Sequence, residues 1–120
     1  MRLSIERFGA TSRGSTAVAF GDLIQFAVTP RIPYDASAPI DEQARQLFAK
    51  ADDRLAQLSS NKSGMTMVLI ILADIKDYVA FNSVWDQWID PKEPPARACI
   101  SAVLADPAMK VEMLVTAVRR

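Results

Sequence analysis

At 120 residues, with half of them hydrophobic and fourteen basic side chains set against fourteen acidic ones, the chain is sized for one domain, residues 1–120, around one core. Its cancelled charge offers no electrostatic track for nucleic acid or for an anionic membrane surface. It has no histidine, one cysteine and only four glycines, so Ser-His-Asp and Cys-His catalysis, histidine-based zinc and iron sites, and glycine-rich phosphate loops are excluded, and neither metal nor cofactor is expected.

Residues 1–8, MRLSIERF, alternate weakly and suit an edge strand, while the Gly, Ser and Thr of 9–15 suit a loop. Ala17 to Phe20 and Leu23 to Val28 read as a hairpin about Gly21 and Asp22, a pair fit for a tight turn. Pro30, Pro33 and Pro39 make the next stretch irregular. From Asp41 to Leu58 the residues Ala44, Leu47, Phe48, Ala51, Leu55 and Leu58 recur at intervals of three and four, the spacing of one buried helix face. Asp41 is placed to cap this helix, Asp53 and Arg54 to lie on its solvated side, and residues 59–64 to end it.

Met65 to Ala73, MTMVLIILA, is apolar on both pleat faces from Val68 onward, which predicts a central strand covered on both sides. Two helices can cover one side. A second copy of the chain is the economical cover for the other, because a large bare apolar patch is unusual on a soluble monomer. Asp77 is placed to cap a second helix, Tyr78 to Ile89, that buries Tyr78, Phe81, Trp85, Trp88 and Ile89 and carries the amide of Asn82 on the same stripe. The Pro-rich segment 90–95 stops it. The run Met67 to Ala73 is well short of the roughly 20 residues a membrane helix needs. With one cysteine and no secretory pattern in the first thirty residues, a reducing, cytoplasmic setting is expected.

The chain then enters ARACISAV, residues 96–103, and VEMLVTAV, residues 111–118, which read as two strands joined by a short turn at Pro107. Alternation puts Arg97, Cys99, Ser101 and Val103 on one face of the first strand and Ala96, Ala98, Ile100 and Ala102 on the other. Arg97 and Glu112 both need partners inside such apolar strands, since an unpaired buried charge is costly. Arg97 reads either as a fork for a ligand carboxylate or as an ion-pair partner, of Glu112 alongside it or of a neighbouring chain. Arg119 and Arg120 read as a solvated tail. The order of elements predicts an α+β fold, a two-layer mixed β-sheet with two helices packed on one face.

The run Pro95, Ala96, Arg97, Ala98, Cys99, Ile100, followed by Val111, Glu112, Met113, resembles the signature of the YjgF/RidA family of small enamine and imine deaminases. The likeness extends over residues 72–98 and, more faintly, to SRGSTAV at 12–18. The resemblance implies a homotrimer whose sheets form a central barrel, with ligand clefts between subunits. It implies cofactor-independent hydrolysis of reactive 2-imino or enamine acids, such as 2-iminopropanoate, to 2-keto acids and ammonia.

In such a site Arg97 would clamp the substrate carboxylate through two parallel hydrogen bonds. Glu112, the only acid on the signature strands, would hold the water or carry the proton. The resemblance implies that the backbone around Cys99 bonds the substrate nitrogen and that Asn82 lines the cleft; its other role is to tie helix to backbone. No covalent role falls to the Cys99 thiol. The chain departs from the family in three places: Ala27, Val28, Thr29 stand where many members have Ser-Gly-Gln or Ala-Gly-Gln, Gly14 where deaminating members often have tyrosine, and Val103 where a small or basic residue is usual. Valine adds bulk where glycine allows close approach. Two alternatives therefore stand beside the first: a non-catalytic trimer that binds small carboxylates such as 2-keto acids, and a deaminase of a larger, aminomuconate-like substrate with room at Gly14.

Overall fold

The computed structural model describes residues 4–120. The expected N-terminal strand is present as β1, Ile5–Phe8, and the first three residues of the 1–8 stretch lie outside the described residues. The hairpin follows as β2, Ala17–Phe20, and β3, Leu23–Val28. Phe20 pairs with Leu23, which leaves Gly21 and Asp22 as the turn. Gly21 has φ +59°, a left-handed conformation that glycine adopts without a Cβ clash.

The first helix, α1, spans Ile40–Gln57. Asp41 does not cap it. Pro39 holds the cap position with no side-chain bond, and Asp41 sits with Glu42 in the first turn, where carboxylates meet the positive end of the helix dipole. The predicted apolar stripe is buried as expected, with Leu47 and Leu55 wholly enclosed, each contributing about 2 kcal/mol of transfer free energy. Arg54 departs from its expected solvated role: it donates to the Ala27 carbonyl at 2.8 Å and its guanidinium stands 5.8 Å from the Phe26 ring centroid.

The remaining elements are β4 at Met65–Leu72, α2 at Tyr78–Trp88, β5 at Ala96–Ser101 and β6 at Val111–Val118. Asp77 occupies the cap position of α2 without a side-chain bond; Asp74 instead accepts the Lys76 N–H at 2.9 Å, closing the 3-10 turn Ile75–Asp77. Phe81, Val84 and Trp85 are buried, and Phe48 of α1 stacks on Trp88 with ring centroids 4.4 Å apart. Tyr78, expected in the core, is 42% exposed. The first turn of α2 stands over the edge strand β5, where no further layer covers it.

The strands form one six-stranded sheet in the order β1-β2-β3-β6-β4-β5, antiparallel throughout except for β4 with β5. β5 and β6 therefore do not form the expected hairpin: β4 lies between them, and residues 102–110 carry the chain across. The physical reason is visible in the side chains. In β6, Val111, Met113, Val115 and Ala117 are buried, an apolar row that the centre of a sheet can use. β5 carries Arg97 and Ser101 on the same face as its neighbours' apolar row, which suits an edge.

Gln43 fixes this crossover. Only 1% exposed, its Nε2 donates to the carbonyls of Asp35 at 3.0 Å and Ala108 at 2.9 Å, and its Oε1 accepts the Lys110 N–H at 2.8 Å. The C-terminal arginines are not the solvated tail the sequence suggested. Arg119 donates from its backbone to Asp22 and from its side chain to the carbonyls of Leu58 and Gly21, and the Arg120 N–H reaches Ser59. The end of β6 runs between the hairpin turn and the end of α1, so its last residues staple the two.

Both helices pack on one face, against Ile24, Phe26, Val28, Val68, Ile70, Met113 and Val115 among others. The opposite face carries Phe20, Leu23, Met67, Ile100 and Leu114, each substantially exposed. Among the described residues no helix is long and apolar enough to cross a membrane.

Candidate functional site

The site is built on the edge strand and the helix above it. Arg97 pairs in register with Val68 and Cys99 with Ile70, both buried under the helices, so Arg97 and Cys99 share the helix-side face, as alternation required. α2 brings two side chains down to meet Arg97. One guanidinium nitrogen donates to Oδ1 of Asn82, and the guanidinium carbon lies 4.8 Å from the centroid of the Trp85 ring. A planar cation over an aromatic face is attracted by the ring quadrupole. The amide and the indole thus fix the plane of the fork from two sides. Sequence periodicity assigned Trp85 to the core, which it joins, and could not show that its face also backs a cation.

Among the described residues Arg97 forms no ion pair. A guanidinium has five N–H donors, so most remain for a ligand. They border a hollow of about 490 Å³ lined by Ile75, Tyr78, Arg97, Ala98 and Cys99. Because β5 pairs on one side only, alternate backbone groups along Ala96–Ser101 point away from the sheet with no strand partner, a second set of polar groups beside the guanidinium. Burial pushes the Cys99 thiol above its ordinary value, and the opposing pull of Arg97 is the smaller influence. A thiol held protonated is a poor nucleophile.

Glu112 is not in this group. It pairs with Ile71 on the face opposite Val68 and Ile70, and Arg97 pairs with Val68 on the far side of β4. Two strand spacings and three residues of offset separate the two backbones by about 14 Å, with side chains on opposite faces. The alternative of an ion pair between Arg97 and Glu112 of one chain is therefore overturned, and one chain does not bring the two side chains together. Asn82 accepts from the Arg97 guanidinium rather than from backbone, and it backs the cation from behind the residues that line the hollow. Val28 is 1% exposed and points into the core; its bulk does not enter the hollow. A side chain at Gly14 would meet open space.

Residues 4–119 match the family model described as Endoribonuclease L-PSP. A RutC family protein of Haemophilus influenzae is 37% identical over 116 residues, covering 96% of this chain and 98% of its own, and the RutC family protein YoaB of Escherichia coli is 31% identical over 115 residues, covering 96% of this chain and 98% of its own. The crystal structure of a YjgF protein family member from Neisseria meningitidis superposes with a TM-score of 0.89 at 37% identity, over 100% of this chain and 98% of that one. With the sheet order, the two helices and the Arg97 strand already in place, these matches over nearly the whole length show that the chain belongs to the Endoribonuclease L-PSP family, the YjgF/RidA/RutC group.

Proposed function

We propose that the protein hydrolyses small 2-imino or enamine acids to 2-keto acids and ammonia, without a cofactor. The observation that carries this reading is the Arg97 guanidinium, oriented by Asn82 and Trp85, without a carboxylate partner among the described residues, and opening on a hollow of small-molecule size. The substrate carboxylate takes two parallel hydrogen bonds from the fork, which places the imine carbon beside the outward backbone groups of β5. Water adds across the carbon–nitrogen double bond, the nitrogen of the resulting carbinolamine takes up a proton, and the carbon–nitrogen bond breaks as the hydroxyl gives up its own proton, leaving the keto acid and ammonia. Imines already hydrolyse in water, so orientation and a held water are enough to lower the barrier, about 1.4 kcal/mol for each tenfold gain.

The acid that moves the proton is Glu112 of a second copy. One chain leaves its Glu112 on the open sheet face, whereas a homotrimer with those faces turned inward as a barrel brings that face to a neighbour's β5. The family's description names RNA cleavage, but a chain of zero formal net charge with no histidine supplies neither the basic track nor the usual proton-transfer pair for that reaction. The test is to release an imine from a serine or threonine dehydratase and follow its decay. We expect acceleration by the wild type and none by Arg97→Ala; equal acceleration by both would end this reading.

A second reading, a trimer that binds small carboxylates without turnover, is favoured by the distance between Arg97 and the acid of its own chain. Calorimetry with 2-keto acids alongside ammonia release separates the two, since a receptor binds through Arg97 and releases nothing. An aminomuconate-like substrate would draw on the open space at Gly14.

A further inference from the structure

Tyr78, Asn82 and Trp85 stand at i, i+4 and i+7 of α2, on one stripe of the helix. Asn82 and Trp85 are spent on holding the Arg97 guanidinium. Tyr78 is one turn further along and joins Ile75 as a wall of the hollow that Arg97 opens on. Both are large and apolar, and both are unusually exposed, at 42% and 51%. Arg97 is the single charged residue of the lining.

We infer that Tyr78, with Ile75, seats the variable side chain of the ligand and selects monocarboxylic 2-keto or 2-imino acids that carry an apolar or aromatic group. This rests on the reading of Arg97 as the carboxylate clamp. With the carboxylate on the fork, the rest of a short ligand extends along the stripe toward the Tyr78 ring, where an apolar group leaves water and an aromatic one meets a ring in edge or offset contact. A second carboxylate at that end would lose its hydration against an apolar wall whose lining residues supply no cation besides Arg97. Tyr78 acts as a specificity-determining residue and takes no part in the proton transfers.

The test is calorimetric titration of the full-length protein with pyruvate, phenylpyruvate and 2-ketoglutarate, repeated for Tyr78→Phe, Tyr78→Ala and Arg97→Ala. We expect wild type and Tyr78→Phe to bind phenylpyruvate about fivefold more tightly than pyruvate, the equivalent of one aromatic contact, and 2-ketoglutarate no more tightly than pyruvate. Tyr78→Ala removes the preference, costing phenylpyruvate about fivefold more affinity than it costs pyruvate, whereas Arg97→Ala abolishes binding of all three. A preference that survives Tyr78→Ala, an equal loss for all three ligands in that variant, or 2-ketoglutarate as the tightest wild-type ligand overturns this inference alone. Undiminished binding to Arg97→Ala overturns the carboxylate clamp and this inference with it.

Discussion

Arg97 and Glu112 of the same chain lie on opposite faces of one sheet with β4 between them. No side-chain rotation joins them, because a side chain cannot pass through a hydrogen-bonded sheet. If both serve one cleft, they come from two chains. Mixing inactive Arg97→Ala with inactive Glu112→Gln, after dissociation and reassembly, should then restore activity. Random assembly at equal amounts gives about a quarter of the wild-type sites an intact Arg97 and an intact partner Glu112. Activity that stays at the level of the separate variants would exclude a shared cleft.

Asn82→Asp offers a sharper probe of Arg97 than deletion does. The variant keeps the shape and places a carboxylate oxygen where the amide oxygen now accepts from the guanidinium. A charge-assisted bond is stronger than a neutral one, so the melting temperature should hold or rise while affinity for 2-keto acids falls by more than about tenfold, because the fork is already neutralised. Lowering the pH toward the carboxylate range should partly restore binding as the introduced carboxylate takes up a proton.

Gln43→Leu should destabilise the fold without touching the hollow. It orphans the Lys110 N–H and the Ala108 carbonyl, now bonded at 2.8 and 2.9 Å, at a cost of about 1–3 kcal/mol for each buried group left unpaired. Denaturant unfolding should show a lower midpoint at unchanged slope, with ligand affinity of the folded protein retained.

Cys99 should be slow to alkylate at neutral pH, because burial raises its thiol pKa above the ordinary 9.0. Its linkage to stability has a definite sign. A group whose folded pKa is raised adds stability that is complete below the unfolded value and is lost as pH climbs toward the folded one. Wild type should therefore lose stability above about pH 9 more steeply than Cys99→Ala, which should keep its turnover at pH 7. Loss of turnover in Cys99→Ala with an intact fold would mean that the thiol does chemistry.

Much of this protein is legible as local pattern. The hairpin at 17–28, the two helices, the strand from Met65 and the common face of Arg97 and Cys99 all follow from periods of two and of three to four, which depend only on how each element places successive side chains. The same periods were silent on which element lies opposite which. They could not show that β6 would take the middle of the sheet and push β5 to the edge, since that choice is made by competing long-range pairings of apolar rows.

Edge position then left Tyr78 over a hollow instead of a core and turned Trp85 into the backing of a cation, while the register of β6 on β4 set Glu112 on the far face from Arg97. Arg119 and Gln43 belong to the same class. A polar side chain reads as solvated in sequence until the packed chain brings unpaired carbonyls and amides within its reach, and only the assembled layers supply those partners.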